Sequence, residues 1–174
     1  MTPAKNVLIG SNRFSLDAVA AATAPDFRAH LVDDHLTGDV EDAAACILQS
    51  AEHVAGTGPA VLIFGGETTV QIRGTGRGGR NQELALRVAL AAFGRLSKGW
   101  VFLSGGTDGR DGPTDAAGGI VDGGTLDRIA TQGGDVHALL RNNDSYAALS
   151  LAGDLLMTGG TGTNVADIQL LLTK

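Results

Sequence analysis

Cysteine occurs once in this 174-residue chain, so no internal disulfide can form and a small disulfide-stapled scaffold is excluded. The one thiol, Cys46, is expected on the apolar stripe of a helix, as a core residue rather than a nucleophile. Aromatic residues make up only 4% of the chain, which favours close helix-on-sheet packing over an aromatic binding face. Positive charge is short too. Thirteen Lys and Arg stand against 19 Asp and Glu, and a formal charge of −6 argues against nucleic acid as a partner. Every apolar run falls far short of the roughly 20 residues that a membrane-spanning helix needs. With no charged leader ahead of an apolar stretch, neither membrane attachment nor secretion is expected, and the expected location is cytoplasmic. The four histidines, His30, His35, His53 and His137, show no metal-ligand spacing, and no Walker-type Gly-x-x-x-x-Gly-Lys-Ser/Thr occurs.

What the chain does have is apolar aliphatic residues and 26 glycines. Short apolar runs alternate with helical periodicity. Strands are expected at Val7–Gly10, Phe27–Val32, Ala60–Phe64, Trp100–Leu103, Ile120–Val121, Asp154–Met157 and Ile168–Leu172. Thr69–Arg73 alternates as a hairpin partner or edge strand would. Helices are expected after an N-cap at Ser15, from about Asp39 to Val54, over Asn81–Phe93, after a cap at Thr125, and over Tyr146–Leu151. Asn143-Asp144-Ser145 reads as a turn that caps the last of these. The rhythm of strand, glycine loop, helix and strand predicts one α/β domain over 1–174. Residues 1–59 form leading strand–helix units and 60–172 a motif-bearing core. The expected architecture is three-layer α/β/α, Rossmann-like, with a mixed, mainly parallel sheet.

Three glycine-dense segments follow apolar strands: 65–83, 105–115 and 158–164. Glycine permits positive φ and close backbone approach, so such loops suit ligands that are small anions. If all three converge on one rim of the sheet, they mark a site. Arg77 and Arg80 offer planar forks of donors for phosphate or carboxylate, beside a helix N-terminus that would add its own N–H groups. Asp108, Asp111 and Asp115 form an acidic cluster in which Asp108 suits a proton acceptor, while Asp111 and Asp115 are candidate ligands for Mg²⁺ or simply turn formers. Gly74-x-Gly76-x-x-Gly79 matches the dinucleotide fingerprint, but the following strand lacks the acidic residue that would bind ribose.

Gly-Gly-Glu-Thr-Thr-Val at 65–70, Gly-Arg-Gly-Gly-Arg-Asn-Gln-Glu-Leu-Ala-Leu at 76–86, Gly-Thr-Asp-Gly at 106–109, Asp-Gly-Pro-Thr-Asp-Ala-Ala-Gly at 111–118 and Thr-Gly-Thr-Asn-Val at 161–165 together resemble the MOFRL domain. That domain is the carboxy-terminal lobe of the glycerate 2-kinases, a family also described as hydroxypyruvate reductases. The resemblance implies ATP-dependent phosphorylation of D-glycerate, with Mg²⁺, in a cleft between two lobes. It implies that Arg80 holds substrate or transferring phosphate and that Asp108 acts on the glycerate hydroxyl. Candidate binding positions are then Gly66, Glu67 and Thr68, Arg77, Gly78, Gly79, Asn81 and Glu83, Thr107, and Thr161, Gly162, Thr163 and Asn164. Family members carry an amino-terminal lobe with a catalytic lysine. That lobe is not matched here, and Lys5 and Lys98 fit no such motif. The chain alone is therefore expected to lack full activity. Its expected partners are a small hydroxy acid, the missing lobe and a second copy of itself. The alternatives are an NAD(P)-dependent hydroxypyruvate reductase and a stand-alone module for small anions.

Overall fold

The computed structural model describes residues 5–24, 26–97 and 99–174. Lys98 lies outside the described residues. In chain order the elements are α1 (Asn12–Thr23), β1 (Arg28–Asp39), α2 (Val40–Val54), β2 (Ala60–Thr69), α3 (Arg80–Ala92), β3 (Val101–Gly106), β4 (Gly118–Asp122), α4 (Thr125–Thr131), α5 (Val136–Arg141), α6 (Ser145–Ala152), β5 (Leu155–Leu156) and β6 (Asp167–Thr173). The strands form one sheet in the order β1-β2-β6-β3-β4-β5.

The continuous apolar run of β2 follows from burial on both sides. Val61 and Ile63 pack with Leu16 of α1 on one face, while Leu62 and Phe64 join α2 and α3 on the other. Leu171 of β6 points into the larger core, and Ile168, Leu170 and Leu172 point to the α1 side. α2 buries Val40, Ala43, Ala44, Ile47, Leu48 and Ala51, one stripe at helical spacing, and opens where the Asp39 side chain accepts the Glu41 N–H at 2.9 Å. α4, α5 and α6 add Ile129, Leu140 and Leu149 to the same core. The α1 side is thinner. Over the β3–β4 half of the sheet, Val101 and Ile120 are 40% and 38% exposed.

The α/β class, the helices on both faces and the mixed sheet are as expected, and the pairing is less parallel than expected. β1–β2 is parallel, and β2–β6, β6–β3, β3–β4 and β4–β5 are antiparallel. The reason is that β6 returns between β2 and β3, and β4 folds back on β3. As a result β1, β2, β3 and β5 share a direction although most neighbours oppose.

Other expectations also shift. Val7–Gly10 is no strand here: Val7, Leu8 and Ile9 are 67%, 69% and 95% exposed and enter no ladder. α1 starts earlier than expected, with Ser11 as its N-cap and its Oγ accepting from the Phe14 N–H at 3.3 Å. Thr69–Arg73 leaves the sheet after Thr69, because its backbone is claimed by a side chain described below. Thr125 is the first helical residue rather than the cap; its Oγ1 is buried and donates to Asp154 at 2.6 Å. Cys46 is exposed, one position off the α2 stripe. Among the described residues, no helix is long and apolar enough to cross a membrane.

Candidate functional site

Antiparallel pairing brings the start of β6 to the same rim as the carboxyl ends of β2 and β3. Asp167 pairs with Gly66 on one side and Gly106 on the other. All three glycine segments reach this rim. Asp167 is 1% exposed, and its carboxylate takes two hydrogen bonds from Arg80, Nε to Oδ2 at 2.6 Å and Nη2 to Oδ1 at 3.0 Å. Nη2 also lies 3.1 Å from Glu67 Oε1. The Asp167 hydrogen bond holds the Arg80 guanidinium above its ordinary pKa, against the opposing effect of burial. Arg80 is thus a fixed cation, with a side chain about one-third exposed.

Asp108 stands beside this pair. A β-carbon placed on Gly106 would lie 3.1 Å from Asp108 Oδ1 and 3.6 Å from Asp167 Oδ1, so the two carboxylates flank one glycine. Asp108 Oδ1 accepts the Arg110 N–H at 3.0 Å, an Asx turn that aims the side chain. Its loop is tied to the last glycine segment. Thr107 Oγ1 donates to Ala166 O at 2.7 Å and accepts the Val165 N–H at 2.8 Å, and the Thr161 N–H reaches Asp108 O at 3.2 Å. Thr161 Oγ1 donates to Thr107 O. Asn12, at the start of α1, donates from Nδ2 to Val165 O and to Asp167 O, both at 2.8 Å. Glu67, Arg80, Thr107, Asp108 and Thr161 are therefore brought together. Between 109–115 and 159–160 lies an open cleft of about 450 Å³ bearing Arg110.

The glycine loops divide into two kinds. Those of 74–79 are filled by the chain itself. A β-carbon would meet Asn142 at Gly74 (2.4 Å), Asp144 at Gly76 (2.5 Å), Ser145 Oγ at Gly78 (2.1 Å) and the Asp111 carboxylate at Gly79 (2.3 Å). The N–H groups of 73–77 are likewise taken. Arg73 and Gly74 donate to Asn143 Oδ1 at 2.6 and 3.0 Å, Thr75 to Asn142 Oδ1, Gly76 to Asn142 O, and Arg77 to Asp144 Oδ1. The Gly74-x-Gly76-x-x-Gly79 spacing therefore serves packing against 142–145 and Asp111, which fill the space that a pyrophosphate would need. By contrast, Gly159, Gly160 and Gly162 have nothing within 4 Å of a β-carbon position.

Several expected ligands are committed elsewhere. Asp111 is 2% exposed, and its carboxylate accepts the N–H groups of Asn81 at 3.1 Å and Gln82 at 2.8 Å and the Gln82 side-chain amide at 3.0 Å. It occupies the N-terminus of α3 that the sequence offered to a ligand, and it is not available to a metal. Burial pushes its pKa up, and these donors oppose that. Asp115 accepts from Tyr146 Oη at 2.9 Å, and Arg77 stacks over the Tyr146 ring at 5.1 Å. Asn81 lies buried against Ser104, and Glu83 buried against Arg87 and Asn143. Thr68 is 2% exposed with its hydroxyl inside the core. Thr163 is exposed, and Asn164 Oδ1 accepts the Ala166 N–H at 3.3 Å. Among the described residues, no three His, Cys, Asp or Glu side chains cluster as a metal site.

Sequence reasoning missed Asp167, Asn12 and Asn143. The first left a signal: an acidic residue at the head of the apolar strand Ile168–Leu172, directly after a glycine loop.

Residues 60–167 match the MOFRL family model. The chain is 59% identical over 110 residues to the D-glycerate 2-kinase of Thermotoga maritima, a match covering 63% of this chain and 26% of that one. It is 44% identical to the glycerate 2-kinase of Pyrococcus horikoshii, with 96% of this chain and 39% of that one covered. The crystal structure of Thermotoga maritima glycerate kinase superimposes with a TM-score of 0.92 at 44% identity, over 98% of this chain and 42% of that one. This chain thus spans about two-fifths or less of the length of these relatives. Motifs, fold and rim geometry lead to one assignment: this chain belongs to the MOFRL family.

Proposed function

We propose that this chain is the substrate-cleft part of an ATP-dependent glycerate 2-kinase that phosphorylates D-glycerate, and that it depends on the remainder of the family fold for turnover. The observation that carries this reading is the fixed Arg80 cation beside Asp108, on a rim where an open glycine loop faces solvent. The names of the relatives supply the substrate class and the position of transfer.

In this reading the Arg80 face turned away from Asp167 binds the glycerate carboxylate or the transferring phosphoryl group. A guanidinium already held by a buried carboxylate needs no reorganisation to do so. Asp108 accepts the proton of the attacking hydroxyl as its oxygen bonds to the γ-phosphorus; the bond to the β-phosphate oxygen breaks, and ADP leaves. Positioning and charge stabilisation carry most of such a transfer, and both are what a rigid rim provides. The N–H groups around Gly160 and Gly162 suit phosphate or carboxylate oxygens. Of the acidic residues, Asp111 is turned inward and Asp115 is engaged by Tyr146, so neither is placed to hold Mg²⁺.

The test is titration of isotope-labelled 1–174 with D-glycerate, followed by amide chemical shifts. Arg80, Asp108 and Gly160 should shift, and Arg80→Ala should abolish the response. An unshifted spectrum at millimolar D-glycerate would remove the substrate-site assignment. ADP release from Mg-ATP and D-glycerate should be undetectable with this chain alone, and turnover here would refute the dependence on a second part. In a full-length kinase carrying this chain, Asp108→Asn should lower kcat by roughly 100-fold or more.

A further inference from the structure

We propose that Glu67 selects the substrate: it guards the open face of Arg80 and yields it only to an acid whose further hydroxyl it can accept. This inference rests on the reading of the rim as a glycerate site. Arg80 Nη2 donates to Asp167 Oδ1 at 3.0 Å and stands 3.1 Å from Glu67 Oε1, so two carboxylates share one guanidinium. They are not equivalent. The Asp167 side chain is 1% exposed and takes both Nε and Nη2, whereas that of Glu67 is 60% exposed. An exposed ion pair is worth little against solvent, and a buried one is costly to break. Glu67 is therefore the partner that an incoming anion displaces. Its backbone cannot follow. Glu67 pairs with Thr37 of β1, and Gly66 before it, at φ 140°, packs directly on the Leu36 backbone. The side chain gives way by changing rotamer and stays beside Arg80.

Charge then decides what can take its place. With Asp108 alongside, Arg80 stands among three carboxylates, and a displaced Glu67 next to a bound carboxylate is a like-charge pair. A hydroxyl between them removes the conflict, because a carboxylate accepting an O–H makes a charge-assisted hydrogen bond. D-glycerate carries one carboxylate and two hydroxyls on three adjacent carbons, one group for each of three residues that the rim brings together. The carboxylate pairs with Arg80, the reacting 2-hydroxyl meets Asp108, and the 3-hydroxyl donates to Glu67. A site built to bond a substrate hydroxyl rejects the analogue that lacks it. The selected class is the 2,3-dihydroxy acids over the simple 2-hydroxy acids.

Two ligands separate the outcomes. D-lactate has the carboxylate and 2-hydroxyl of D-glycerate in the same configuration, without the 3-hydroxyl. Both are titrated into isotope-labelled 1–174 and read at the Arg80 amide and side-chain Nε–H. The parent should bind D-lactate at least about 10-fold more weakly than D-glycerate. Glu67→Ala should bind the two alike, and D-lactate more tightly than the parent does. Glu67→Gln frees Arg80 but keeps an oxygen that accepts a hydroxyl, so it should retain the preference and bind D-glycerate at least as tightly as the parent. Equal affinities in the parent, or an undiminished preference in Glu67→Ala, would overturn the proposal and leave the glycerate site standing. So would a marked fall in melting temperature in both variants, which would make Glu67 a brace of the fold. If D-glycerate fails to bind the parent, the glycerate reading falls and this selection falls with it.

Discussion

Arg80 is gripped side-on by Asp167, with Nε and Nη2 each donating to one oxygen of a carboxylate that is 1% exposed. Asp167 belongs to a strand at the centre of the sheet, paired on both sides, so the cation inherits the rigidity of the core.

Breaking this pair from the arginine side should be costly. Arg80→Ala leaves a buried carboxylate without its counter-charge, and such losses run to about 3–5 kcal/mol. Arg80→Lys keeps the charge but not the two-pronged geometry, and should recover only part of the loss. Urea denaturation of the three proteins measures this. If Arg80→Ala costs less than about 1 kcal/mol, the pair is no more than a surface salt bridge.

The two kinds of glycine loop predict opposite responses to alanine. At Gly78 a β-carbon would sit 2.1 Å from Ser145 Oγ, so Gly78→Ala forces the 74–79 loop off the 142–145 turn. Overpacking of this sort costs about 1–3 kcal/mol. Gly160 faces open space, and Gly160→Ala should stay within about 0.5 kcal/mol of the parent. If the 158–164 loop binds substrate, Gly160→Ala will weaken D-glycerate binding without moving the melting temperature, whereas Gly78→Ala will lower the melting temperature first.

Much of the fold was readable because its signals are local. The Asp39 cap, the α2 stripe and the doubly buried β2 are set by side chains a few residues apart. What the sequence could not show was long-range. The insertion of β6 between β2 and β3 makes most neighbours antiparallel, and it alone carries Asp167 to Arg80, 87 residues apart. The glycines of 74–79 look like a ligand loop in sequence. Whether a ligand or another part of the chain fills the space beside them depends on 142–145 and Asp111, more than 30 residues away in most pairs. Asn143 illustrates the same limit. Read as a turn former, it adopts φ 53° and accepts the N–H groups of Arg73 and Gly74, which is why Thr69–Arg73 is no strand.

The last prediction concerns Asp111, where two effects compete. Burial disfavours its charged form, three close donors favour it, and the balance lies above the ordinary value of 3.8. A carboxyl whose folded pKa exceeds its unfolded one takes up a proton on folding. Between those two values, stability therefore falls as pH rises. At acid pH the protonated carboxyl resembles an amide, with one acceptor oxygen and one donor, so Asp111→Asn is its near-isostere. The parent's advantage over Asp111→Asn should then be largest near pH 4 and shrink as pH rises through the raised pKa, which paired urea midpoints from about pH 4 to 7 will show. If the gap widens with pH instead, the donors from Asn81 and Gln82 outweigh burial, and Asp111 serves α3 as a true anionic cap.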